Sequence, residues 1–121
     1  MISHISFASI PVTDLDRAIG FYRDVLGLDV DVDAEFMPGM RWVMMRPGEQ
    51  PTKLHFDLVE EMPEATKPAI PFIADVAATI EALRAAGATI DTEPGPAPWD
   101  ADTTFAMFRD SEGNQILVSS R

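Results

Sequence analysis

Cysteine is absent from the 121 residues, which excludes a disulfide framework, a thiolate zinc site and a cysteine nucleophile. Basic residues are scarce: 9 Lys and Arg stand against 20 Asp and Glu, a formal net charge of −11. Phosphate-backbone binding rests on clustered cations, so no nucleic-acid partner is expected. An acidic field can draw a cationic small molecule, and it equally keeps a surface solvated. No apolar run approaches the roughly 20 residues of a membrane helix, and Met1-Ile2-Ser3-His4 lacks the basic start of a secretory leader. The expectation is a soluble, cytoplasmic protein with no membrane partner. Several catalytic patterns are missing as well: no G-x-S-x-G elbow, no G-x-x-x-x-G-K-S/T phosphate cradle, no H-E-x-x-H and no G-x-G-x-x-G after a strand. Hydrolase and nucleotide-binding readings therefore fall away.

What the chain does contain is a pattern written twice. Ile10-Pro11-Val12-Thr13-Asp14-Leu15 and Ile70-Pro71-Phe72-Ile73-Ala74-Asp75-Val76 both run an apolar stretch into an acidic residue. Each is followed by an amphipathic helix pattern that stops at a glycine, Gly27 or Gly87. The acidic residues stand 61 positions apart and the glycines 60. A period held over such a length points to duplication of one supersecondary module.

In the first copy, His4 to Ile10 reads as a strand, with Pro11 where a strand ends or an edge begins. Thr13 and Asp16 have the spacing of a capping box. Leu15, Ala18, Ile19, Tyr22, Val25 and Leu26 then follow with helical period, predicting a helix from Asp14 to Leu26. Leu28 to Asp33 alternates strictly, as a strand with one wet, acidic face would. Met40 to Arg46 and Lys53 to Val59 are further strands, separated by the turn-rich segment 47–51. The second copy repeats the order: strand Ala69 to Ala74, helix Asp75 to Ala86, strand Ala88 to Thr92, then Thr103 to Phe108 and Gln115 to Ser119 as a hairpin. Between them, Glu93 to Asp102 holds Pro94, Gly95, Pro96, Pro98 and Trp99 without a regular pattern, and is expected to be a loop that could act as a lid. The fold class is thus α+β, a single domain over residues 1–121 made of two βαβββ modules, about 1–62 and 63–121.

Two stretches carry a family resemblance. Val12-Thr13-Asp14-Leu15-Asp16-Arg17-Ala18-Ile19-Gly20-Phe21-Tyr22-Arg23-Asp24-Val25-Leu26-Gly27-Leu28 resembles the opening strand-helix signature of the glyoxalase/bleomycin-resistance/extradiol-dioxygenase, or vicinal oxygen chelate, superfamily. Phe108-Arg109-Asp110-Ser111-Glu112-Gly113-Asn114 is similar to its closing turn. The resemblance implies paired modules curving into an open, cup-shaped sheet with helices outside, related by a pseudo-twofold axis, and a homodimer. In that family the concave face holds substrate and often a divalent metal. The ligand positions that the resemblance implies fall here on Phe7, Pro68 and Leu117, which have no coordinating lone pair, and on the fourth strand, where His55 or Asp57 could serve. Zinc wants three or four protein ligands, so no family-type metal or other cofactor is expected. His4 lies an odd number of residues from Phe7 and so faces the other way on the strand.

The candidate site follows from alternation. In Leu54-His55-Phe56-Asp57-Leu58 the three apolar residues share one face, to be packed beneath the helices, and His55 and Asp57 share the other. This pair is either a general base with its tuning carboxylate, or a hydrogen-bonding hook, or simply a solvent-facing polar pair. Phe7, Trp42, Met44 and Trp99 are candidates for an aromatic, adaptable lining around it. Two functions are compatible with these residues. One is metal-independent sequestration of a small organic molecule, aromatic or cationic. The other is a metal-dependent lyase, isomerase or dioxygenase using His55.

Overall fold

The computed structural model describes residues 1–121 and divides into two compact units, Met1–Met62 and Pro63–Arg121. In the first, β1 (Phe7–Val12) leads into α1 (Leu15–Asp24), then β2 (Asp29–Met37), β3 (Met40–Arg46) and β4 (Lys53–Leu58). The second repeats this as β5 (Ile70–Ile73), α2 (Val76–Ala85), β6 (Ile90–Ala97), β7 (Asp100–Arg109) and β8 (Gln115–Ser119). The sheet orders are β1-β4-β3-β2 and β5-β8-β7-β6. In each, the first and last strands pair in parallel and the other neighbours pair antiparallel. The chain is thus an α+β protein of two βαβββ modules.

Aspartate opens both helices. Asp14 accepts from the backbone N–H of Arg17 at 3.0 Å and Asp75 from that of Ala78 at 3.1 Å, which satisfies a helix-end donor that has no partner within the helix. The residue at the cap is Asp14 rather than Thr13; the Thr13 hydroxyl accepts from the Arg17 guanidinium at 3.1 Å, and Asp16 pairs with Arg41 at 2.9 Å. The helices end in left-handed glycines, φ 74° at Gly27 and 78° at Gly87. Here the modules differ. Behind α2 the N–H groups of Ala88 and Gly87 bond the carbonyls of Leu83 and Arg84, a tight reversal, whereas behind α1 Leu28 reaches back six residues to Tyr22 and Leu26 five to Phe21. The wider turn absorbs one extra residue, which explains an offset of 61 between the caps and 60 between the glycines.

One face of each sheet packs on its helix. Ile10, Val12, Val43, Met45, Leu54 and Phe56 are buried, as are Leu15, Ala18, Ile19 and Tyr22 of α1, and Tyr22 meets Phe56 with ring centroids 5.4 Å apart. Ala106, Phe108, Ile116 and Val118 play the same part with Val76, Ile80 and Leu83 of α2. Leu58, expected on the packed face, is instead 58% exposed as the last residue of β4.

Three further expectations need correcting. β1 starts at Phe7 rather than His4 and runs through Pro11 to Val12. It is an edge strand, where a residue without an N–H is tolerated. The segment Glu93 to Asp102 is not an irregular loop: β6 continues through Pro94 and Pro96 to Ala97, a two-residue turn at Pro98 and Trp99 follows, and β7 begins at Asp100. β6 is also an edge strand, and breaks in its pairing between Thr92 and Gly95 and between Pro96 and Ala97 accommodate the prolines. Finally, the acids of β2 do not alternate on one wet face: a bulge at Asp31 breaks the alternation, so that Val30 is exposed while Asp31 is largely covered beside Arg46 and Lys53.

Candidate functional site

Strand alternation leaves the other face of the first sheet free of α1. Phe7 and Ser9 of β1, Trp42 and Met44 of β3, and His55 and Asp57 of β4 lie on it, opposite in parity to the buried Ile10, Val43, Met45, Leu54 and Phe56. Pairing sets their order: Ser9 stands opposite His55, and His55 opposite Met44, so these three form one row across the sheet, while Pro11 stands opposite Asp57.

The row brings aromatic rings together. The His55 imidazole stacks on Trp42 with centroids 4.1 Å apart and an interplanar angle of 28°. Phe7 meets both edge-on, 5.9 Å from Trp42 and 5.5 Å from His55. Phe36, near the tip of the β2–β3 hairpin, approaches Trp42 edge-on at 6.1 Å. Such offset and edge geometries satisfy the ring quadrupoles and hold the side chains in place. Phe7 remains 39% exposed, so the cluster is reachable.

His55 Nδ1 lies 2.9 Å from the Ser9 hydroxyl. If Ser9 donates, Nε2 carries the ring proton and presents a donor; with the opposite tautomer, Nε2 is an acceptor or base. Burial lowers the pKa of the imidazole, and the nearby Asp57 carboxylate pulls the other way without overcoming it. The ring is therefore neutral at neutral pH, suited to hydrogen bonding or to taking a proton.

Ser9 and Phe36 were not among the sequence candidates. Ser9 had a usable signal, because it lies two residues from Phe7 on the same strand and must share its face. Phe36 had none, since a pairing irregularity between Glu35 and Met37 breaks the alternation there. Trp99 belongs to the second unit, where it is 58% exposed in the β6–β7 turn and packs edge-on against Phe105 at 5.4 Å. Phe105 shares its sheet face with Met107 and Leu117. The second module thus presents a more aliphatic version of the same surface.

The family-type chelate fails on chemistry. Phe7 and Leu117 occupy expected ligand positions with hydrocarbon side chains. Pro68 precedes β5, and register makes Ala69 the counterpart of Phe7, which is no better as a ligand. No three His, Asp or Glu side chains gather as a metal site would require. His4 lies outside β1, hydrogen-bonded to Ser3 at 2.8 Å.

Two βαβββ modules, each with one sheet face on its helix and the other face free of it, define a paired-module class of small domains. The Glyoxalase/Bleomycin resistance protein/Dioxygenase superfamily model matches residues 2–118, and the chain belongs to that superfamily. It is 27% identical over 121 residues to the uncharacterised protein YetH of Bacillus subtilis, covering 98% of both chains. It is 32% identical over 115 residues to a lactoylglutathione lyase of Haemophilus influenzae, covering 87% of this chain and 83% of the other. Among solved structures, TnmS3, an antibiotic binding protein from Streptomyces sp. CB03234, superposes with a TM-score of 0.80 at 30% identity, over 97% of this chain and 94% of that one. No helix is long and apolar enough to cross a membrane.

Proposed function

We propose that this protein binds a small organic molecule through a flat aromatic or cationic group laid on the helix-free face of the first sheet, and holds it without a metal and without transforming it. The observation that carries this reading is the Trp42–His55 stack with Phe7 standing edge-on beside it. Its rings offer a preset surface, and their faces attract positive charge at about 0.5–2 kcal/mol per cation–π contact. The neutral imidazole adds a directional hydrogen bond and Met44 an adaptable wall. Asp57, exposed on the same face, supplies an acceptor for a cationic or donor group. The likeness to an antibiotic binding protein supports the same reading.

Fluorescence titration against a library of aromatic and cationic compounds tests the proposal. Trp42→Ala should weaken any hit roughly 2- to 30-fold, the loss of one or two ring contacts. A hit indifferent to Trp42→Ala and His55→Ala would place the site elsewhere, and sensitivity to Trp99→Ala alone would move it to the second module.

The likeness to a lactoylglutathione lyase favours a second reading, a metal-dependent lyase with His55 as ligand or base. Near-stoichiometric zinc, nickel, iron or manganese in protein purified without chelators, lost on His55→Ala, would put the enzyme first. We further propose that the protein is a cytoplasmic homodimer, a state supported by the large apolar side chains exposed on the single chain, among them Ile2, Ile5, Met37 and Ile73.

A further inference from the structure

The first sheet sets a hydroxyl against a base in a way that its packing does not require. The Ser9 hydroxyl lies 2.9 Å from His55 Nδ1, between residues 46 apart in the chain. Ser9 is exposed on the edge strand β1, so its oxygen is open to a molecule on the helix-free face. The duplicated frame forms without such a pair: where Ser9 stands opposite His55, the second module sets Pro71 opposite Leu117. A short motif could not reveal the dyad, because its members come from different strands.

The neighbours suit this pair to acyl transfer. Burial leaves His55 neutral at neutral pH, and a neutral imidazole can accept the hydroxyl proton as the oxygen attacks. The Asp57 carboxylate, two residues along β4 on the same face, favours the imidazolium that this transfer creates. Trp42, stacked on the imidazole at 4.1 Å, holds the ring in its plane. The backbone adds a donor. Lys53 and Val59 give their N–H groups to the carbonyls of Ser6 and Val12, so the even-numbered residues of this stretch turn their backbone groups toward β4. Successive residues of a strand point these groups to opposite sides, which leaves the N–H of Ser9 outside the ladder, free to meet an acyl oxygen as it gains negative charge. Phe7 stands two residues before Ser9 on the same face, about 7 Å away along the strand. A ring laid on Phe7 and Trp42 brings a short substituent to the hydroxyl.

We propose that Ser9 is a nucleophile for activated aryl esters, taking the acyl group from a phenol ester whose ring lies on Trp42 and Phe7, with His55 as its base. The bond from Ser9 Oγ to the acyl carbon forms, and the bond from that carbon to the phenol oxygen breaks. The hydroxyl proton passes to His55 Nδ1 and from there to the departing phenolate, so an acyl-serine and a free phenol result with no change of oxidation state. For seating the ring this rests on the binding role proposed above; ligands without an activated ester stay intact on the face.

The full chain, mixed at neutral pH with 2-naphthyl acetate, quenched in acid and mapped by peptide mass, should carry a single acetyl group, on Ser9. Naphthol should appear in a burst approaching one equivalent per chain. Ser9→Ala should lose both label and burst. His55→Gln, which keeps the hydroxyl, should slow the burst about 100-fold, the lower scale of general-base assistance. The peptide map of the unaltered chain decides the point even if a variant fails to fold. Acetyl groups found only on lysines, a burst that survives Ser9→Ala, or one unchanged in His55→Gln overturns the nucleophile. Calorimetric titration with 2-naphthol, which has no acyl group to give, reads the aromatic platform separately. Binding of naphthol with Ser9 unlabelled would sink the nucleophile and leave the platform standing, whereas a labelled Ser9 without naphthol binding would overturn the placement of the ring. Failure of both removes platform and nucleophile together.

Discussion

His55 owes its chemistry to neighbours acting in opposite senses. Partial burial against Trp42 and Phe7 disfavours the imidazolium, and Asp57 on the same strand partly restores it. Because the folded-state pKa is depressed, the ring is neutral in folded and unfolded chains alike above about pH 6.5. Below that the unfolded chain takes up a proton that the folded one resists, so this ring's contribution to stability is lost as pH falls toward the folded value. Proton NMR should find the His55 resonance, identified by its absence in His55→Gln, titrating below about pH 6.5 and lower still in Asp57→Asn. A midpoint above the ordinary histidine value would mean that the carboxylate, rather than burial, governs the ring. Asp31 has its carboxyl held below the ordinary range by Lys53 first and Arg46 second. Its stabilisation is present at neutral pH and disappears only as acid protonates it.

The short connections between elements are built mainly from backbone chemistry. In the β7–β8 turn the buried Asp110 carboxylate accepts from the N–H groups of Glu112 and Asn114 at 2.9 Å each and from the Asn114 side-chain amide at 3.0 Å, while Gly113 takes φ 89°. That network accounts for Asp110, Gly113 and Asn114 of the segment. The helix ends make a cleaner test. A Cβ placed on Gly27 or Gly87 meets nothing within 4 Å, so Gly27→Ala and Gly87→Ala should each cost only the left-handed strain, about 1 kcal/mol. Removing the cap in Asp14→Ala or Asp75→Ala should cost about as much, about 1 kcal/mol, through the unsatisfied N–H of Arg17 or Ala78. Urea midpoints would measure all four. Losses several times larger at the glycines would mean that the turns have packing roles the open space around them denies.

Across the whole chain, apolar side chains outnumber the places that bury them. Ile2, Ile5, Phe36, Met37, Met40, Leu58 and Ile73 are exposed in a chain whose net charge of −11 otherwise favours solvation. Where such groups adjoin in one patch they mark a surface that another surface covers. The proposed homodimer should scatter light as a particle of about 27 kDa, twice the 13.3 kDa chain. A particle of single-chain mass at tens of micromolar and above would count against it.

Local chemistry was legible in the residues themselves. The duplicated strand–helix–glycine pattern and the helix cores at i, i+3 and i+4 follow from periodicity and composition, which act over a few residues and leave their mark in order, whereas the ligand positions came only from the family resemblance. Even there the choice between Thr13 and Asp14 as the cap was settled only by the fold, since both residue types can serve. Long-range pairing decided the rest. Sheet order made β6 an edge strand on which Pro94 and Pro96 are tolerated, turning an apparent loop into a hairpin. Register set Ser9 opposite His55, 46 residues away. A bulge placed Asp31 among cations where strict alternation promised a wet acidic face, and a matching bulge placed Asp91 beside Arg109. Partners across a sheet are chosen by the fit of whole faces, and no short window of sequence contains both sides of that fit.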